Sequence, residues 1–191
     1  MNLSLLKNSR PSSSLARGHS LIHPECPIEQ TLRSDDAEIR GQLMHEPWSH
    51  KSRPDGTLFV ADYSGLRLLG RSEHVLDAAV EPLQRRFGVQ LVVDAPSVRY
   101  AFGVPTLEPY MAVLINAPER YLPVIQGDFL RRRGRIKHLD QRGPFILEGE
   151  APLAGLLGYR RWLRDLIQDD PYVGLWLSRY LPIDDDGPRA A

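Results

Sequence analysis

The pattern of apolar and polar positions is sharpest between Leu107 and Ile183. Residues 110–115 are nearly all apolar, as in a strand covered on both faces. Pro118 opens a helix, where its missing N–H is no loss. Leu122, Ile125 and Phe129 then recur at helical spacing. Arg131, Arg132 and Arg133 fall in the last turn, where positive charge suits the helix dipole. Gly134 ends the helix, so one continuous helix is expected over 118–133. A hairpin follows, with arms 135–139 and 145–151 and turn residues 140–143 between them. A second helix begins at Pro152. Leu153, Leu156, Leu157, Leu163 and Ile167 make its apolar stripe, with Arg161, Arg164, Asp165 and Gln168 opposite. Residues 172–180 read as a last strand. The order β-α-β-β-α-β predicts an α+β, ferredoxin-like sandwich: two helices on one face of an antiparallel sheet.

A weaker copy of this pattern lies upstream. Residues 58–63 and 66–69 flank Ser64 and Gly65, a hairpin turn. Ser72 caps a helix whose inner face is Val75, Leu76, Ala79, Leu83 and Phe87, and Gly88 ends it. Pro82 should kink that helix. Residues 89–93 and 97–100 continue as strand, and residues 35–44 supply a first helix with a thin apolar stripe. The fold expected is two tandem βαββαβ sandwiches, the first incomplete at its opening strand. The divisions are a flexible segment over 1–34, modules over 35–104 and 105–183, and a loose tail over 184–191.

Composition narrows the function classes. The chain has 191 residues, 42% hydrophobic and 25% charged, with a formal net charge of zero. A dedicated nucleic-acid binder carries a basic excess, so RNA contact here needs a local patch. The single cysteine, Cys26, excludes an internal disulfide. No run approaches eighteen apolar residues, so no membrane span is expected. Residues 1–24 are Ser-rich and hold Lys7, Arg10 and Arg17 without an acid, as a transit peptide does; a disordered tail is the preferred reading.

The second module also resembles a known family. Leu107, Glu108, Pro109, Pro118, Glu119, Tyr121, Gly127, Asp128, Arg132, Arg133, Gly134, Ile136, Arg142, Gly143, Pro152, Leu153, Ala154, Gly158, Tyr159, Leu163, Arg164, Leu166, Gln168, Tyr180 and Pro182 follow the spacing of the C-terminal domain, domain V, of bacterial elongation factor G. The upstream module resembles domain III of the same factors, where Gly70, Glu73 and Leu76 keep the signature. The resemblance implies ferredoxin-like folds and a partner on the ribosome, near the GTPase-associated centre of the large subunit, or a translation-factor protein. It also implies a cytoplasmic location. No Gly-x-x-x-x-Gly-Lys-Ser/Thr stretch is present, so binding without GTP hydrolysis is expected. The β-barrel second domain and the fourth domain are missing too, and no cofactor or metal is implied.

Two basic clusters are the candidate RNA-binding residues. One is Arg131, Arg132, Arg133, Arg135 and Lys137; the other is Arg160, Arg161 and Arg164. Arginine forks suit phosphate oxygens. Asp169 and Asp170 stand where the family has a Gly-Arg-Gly loop, and acids there would repel RNA. Zero net charge and these two acids favour the alternative, a protein-interaction module reused outside translation. A remote alternative is an acylphosphatase-like hydrolase using residues 126–131, but Asp128 would oppose an anion. The histidines at 19, 23, 45, 50, 74 and 138 are scattered, and His19, His23 and Cys26 fit no standard metal spacing. Glu73 sits at a helix start and complements its dipole. Trp162 and Trp176 are read as packing residues, and Trp48 as a loop residue.

Overall fold

A computed structural model describes residues 23–45, 56–168 and 171–183. The expectations for 1–22, for His50 and Trp48, for Asp169 and Asp170 and for the tail over 184–191 lie outside these residues. The described chain forms two antiparallel sheets with helices packed on them, a mixed arrangement compatible with ferredoxin-like sandwiches.

The first sheet uses β1 (Ile28–Arg33), β2 (Leu58–Asp62), β3 (Gly65–Gly70) and β4 (Val92–Val93) in the order β2-β3-β1-β4, with β5 (Ser97–Val98) also on β1. The expectation of a flexible segment up to residue 34 is therefore corrected: residues 28–33 are the central strand. Ile28, Gln30 and Leu32 all point inward and are buried. A glutamine in the middle hides the apolar alternation. Its Nε2 is accommodated by donating to the Asp94 carbonyl at 2.9 Å. Helix α1 (Ala37–His45) starts two residues after the expected position, 35. The Asp36 carboxylate caps it, accepting from the Glu38 and Ile39 N–H groups at 2.8 and 3.1 Å. Helix α2 (Glu73–Phe87) runs through Pro82, and Ser72 is its N-cap residue without a side-chain cap bond. After Gly88 the chain makes a 3-10 turn over Gly88–Gln90, so the strand expected over 89–93 shortens to two residues.

The second sheet has the order β7-β8-β6-β9, from β6 (Leu107–Ala117), β7 (Arg135–Asp140), β8 (Phe145–Pro152) and β9 (Tyr172–Pro182). Met111, Val113, Ile115, Phe145, Leu147 and Ala151 face the helices and are buried. Neither expected helix is continuous. Residues 119–121 form a 3-10 turn, and α3 (Leu122–Arg131) starts only where Pro123 can occupy its first turn. At the other end Arg132 caps the helix and Arg133 takes a left-handed conformation, φ 62°. The N–H groups of Arg133 and Gly134 donate to the Leu130 and Phe129 carbonyls at 3.0 and 2.9 Å, closing a Schellman motif. Gly134 is thus required for space: a Cβ there would stand 2.5 Å from the Phe129 carbonyl oxygen. The second helix is split into α4 (Leu153–Leu156) and α5 (Tyr159–Leu166). Gly158, at φ 74°, breaks it. The predicted stripe survives the break, with Leu153, Leu156, Leu163 and Ile167 all buried. One continuous apolar cluster takes in residues of both sheets, from Ile28 and Leu83 to Phe129 and Val173. No helix among the described residues is long and apolar enough to cross a membrane.

Candidate interaction surface

The arginines at the end of α3 are dispersed among internal acids. Arg132 is the most enclosed. Its Nε donates to Asp128 Oδ2 at 2.6 Å and its Nη1 to the Gly155 carbonyl at 2.7 Å. Its guanidinium also covers the rings of Tyr159 and Trp162, 4.8 and 5.7 Å from their centroids. It ties α3 to the α4–α5 corner. Arg133 pairs with the buried Glu108 carboxylate at 2.7 Å. Lys137 shares Glu150 with Ser178 and Arg179, at 2.9, 2.6 and 2.7 Å. These contacts hold the Glu150 carboxyl below the usual range, the Ser178 hydroxyl first among them. Arg131 is exposed beside Asp128. Arg135 is exposed and makes no ion pair among the described residues. The cluster read as one basic face is therefore two solvent-facing arginines and three side chains engaged by the module's own acids, of which Lys137 is itself exposed.

The second cluster is placed differently. Arg160, Arg161 and Arg164 line a cleft of about 300 Å³ together with Glu73, His74, Asp77, Gly158, Pro171, Tyr172 and Val173. The cleft lies where the start of α2 meets α5 and the start of β9. Glu73, read in the sequence as a dipole partner for its own helix, reaches the other module. Both its oxygens accept the Gly158 N–H at 3.0 Å, at the N-terminus of α5. Burial pushes the Glu73 carboxyl above its usual range, while the Gly158 N–H pulls the other way. Arg160 donates to the Val173 carbonyl. Arg161 and Arg164 are exposed and have no ion-pair partner among the described residues. Pro171, Tyr172, Val173 and Asp77 are cleft residues that the sequence did not single out, because nothing local says that α2 approaches α5.

Other candidates resolve one by one. Residues 126–131 lie within α3, and Asp128 holds Arg131 and Arg132, so no anion-binding loop forms there. Trp162 stacks on Tyr159 at 5.5 Å, a packing role. Trp176 corrects the packing expectation: it is 51% exposed on the sheet face away from the helices, next to Tyr172 at 61%. The reason is parity, since Val173 and not Trp176 turns to the core on β9.

The strand order β7-β8-β6-β9, with helices packed on one face, defines a class: a mixed α/β module built on an antiparallel sheet. Comparison with protein families is more specific. Residues 105–189 match the model described as Elongation factor G C-terminus, so the second sheet and its helices are an elongation factor G C-terminal-like region.

Proposed function

We propose that the protein is a translation-factor-like module that docks on the ribosome, near the GTPase-associated centre of the large subunit, or on a translation factor there, without hydrolysing GTP. In this reading the two sheets are tandem ferredoxin-like domains, and the upstream one is domain III-like. The cytoplasm is the compartment this implies. One observation carries the proposal: the region matching the elongation factor G C-terminus presents Arg161 and Arg164 to solvent, with no acid paired to either among the described residues. Arg131 and Arg135 extend the exposed positive charge. Arg132, Arg133 and Lys137 are engaged by Asp128, Glu108 and Glu150 and are secondary to RNA contact.

The test is co-sedimentation of the purified chain with ribosomes over a salt series. Binding at low salt should fall steeply as salt rises. Changing Arg161 and Arg164 together to Glu should weaken binding and reduce the salt slope by about one per lost phosphate contact. A chain that stays in the supernatant at every salt concentration refutes ribosome docking.

A second reading, a protein-interaction module outside translation, is favoured by the pairing of four of the eight candidate cations with the chain's own acids. Affinity capture that recovers ribosomal components alone excludes it.

A further inference from the structure

The two edges of the second sheet are built differently. At one edge β7 carries Arg135, Lys137, His138 and Asp140, and its pairing is irregular between Ile136 and His138. Charge and bulging are devices that stop an edge strand from recruiting another chain. At the other edge, β9 has neither over its first half. Residues 172–177 contain no charge and no proline, and they pair with β6 in unbroken register. The irregularity comes only beyond them, between Tyr110 and Met111 of β6. No strand among the described residues pairs with the outer side of β9. Tyr172 and Trp176 stand exposed on one face and lean over Gly174, where a Cβ would lie 3.0 Å from the Trp176 ring. The far end of the strand is closed by the first module, through the Tyr180 hydroxyl donating to the Pro24 carbonyl at 2.9 Å.

The near end of this open run enters the cleft. Tyr172 and Val173 line it together with Arg160, Arg161, Arg164, Glu73 and Asp77. Glu73 is held by the Gly158 N–H and Arg160 by the Val173 carbonyl, so Arg161 and Arg164 are the cations left to face an incoming chain end, against Asp77. A strand added antiparallel to β9 directs its own C-terminal end toward Tyr172, and so toward those arginines.

We propose that residues 172–177 are a docking edge for an extended peptide segment of a partner protein, added antiparallel, apolar at alternate positions and ending in carboxylates that meet Arg161 and Arg164. Main-chain hydrogen bonds hold the strand, as in other sheet-edge complexes. Apolar side chains lie against Tyr172 and Trp176, and the charge at one end sets the direction. The proposal goes beyond ribosome docking and is tested without ribosomes.

The experiment titrates the full-length, isotope-labelled chain with the peptide acetyl-TVTVEE bearing a free C-terminus, and with its C-terminally amidated TVTVQQ analogue, following backbone amide shifts. Saturable shifts at 172–177 are expected with the acidic peptide. Binding should be about ten-fold weaker for the neutral analogue, and for the chain with Arg161→Glu and Arg164→Glu. Trp176→Lys places a charge on the edge at a half-exposed position. It should abolish saturation while the amide shifts outside β9 keep their free-chain positions, the mark of an intact fold. Absence of saturable binding, or equal affinity for the two peptides, overturns the proposal. So does concentration-dependent broadening along β9 without peptide, which would make a second copy the occupant.

Discussion

Arg132 shows how one side chain can be mistaken for a binding residue. Read in the sequence it is the middle of a basic triplet; in the fold it joins α3, the Gly155 carbonyl and two aromatic rings. Arg132→Ala should cost about 1–3 kcal/mol by urea denaturation, because it strands Asp128 and the Gly155 carbonyl. Arg132→Lys should not restore this, since an ammonium lacks the planar fork. Two glycines separate space from conformation. Gly134→Ala meets backbone at 2.5 Å and should cost about 1–3 kcal/mol through overpacking. Gly158→Ala meets nothing within 4 Å and should cost about 1–2 kcal/mol from its positive φ alone. Gly158→Asn should therefore be tolerated far better than Gly134→Asn, which thermal melts of the two variants will show. Glu150 predicts a pH effect. Its folded pKa is depressed, so its stabilisation is present above the usual Glu value and is lost as pH falls through the folded value. Glu150→Gln should flatten the acid limb of the stability–pH curve.

At the scale of elements, the sequence was readable where side-chain periodicity was strong and where glycine or proline punctuated it. The strands read at 110–115 and 172–180, which in the fold run over 107–117 and 172–182, the β7–β8 hairpin and both helical stripes of the second module were visible for that reason. The break between α4 and α5 was not, because the apolar stripe continues across Gly158 and periodicity alone does not register one left-handed residue. β1 was hidden by Gln30, a polar residue in a core position whose partner, the Asp94 carbonyl, is distant in sequence. The candidate site divides in the same way. That Arg160, Arg161 and Arg164 share a surface follows from helical spacing. That Arg133 and Lys137 are engaged by Glu108 and Glu150 depends on strand pairing, which no local signal specifies.

At the scale of the whole molecule, the shared apolar cluster and the Glu73–Gly158 contact join the two sheets. Calorimetry should show one transition with matching calorimetric and van't Hoff enthalpies. The junction should respond to pH with a sign opposite to that of Glu150. Burial raises the Glu73 pKa, so the folded state holds that proton more tightly than the unfolded chain does. Its contribution to stability is greatest below the usual Glu value and declines as pH rises through the window up to the raised one. Glu73→Gln should remove that decline. The strand order carries a consequence for biosynthesis. β6 lies between β8 and β9, both of which follow it in the chain. At about 5–20 residues per second, a nascent polypeptide displays β6 for several seconds before its last neighbour leaves the exit tunnel. The yield of soluble product then depends on what shields that strand during elongation, and a chaperone acting on growing chains should matter more than any gain in the stability of the finished fold.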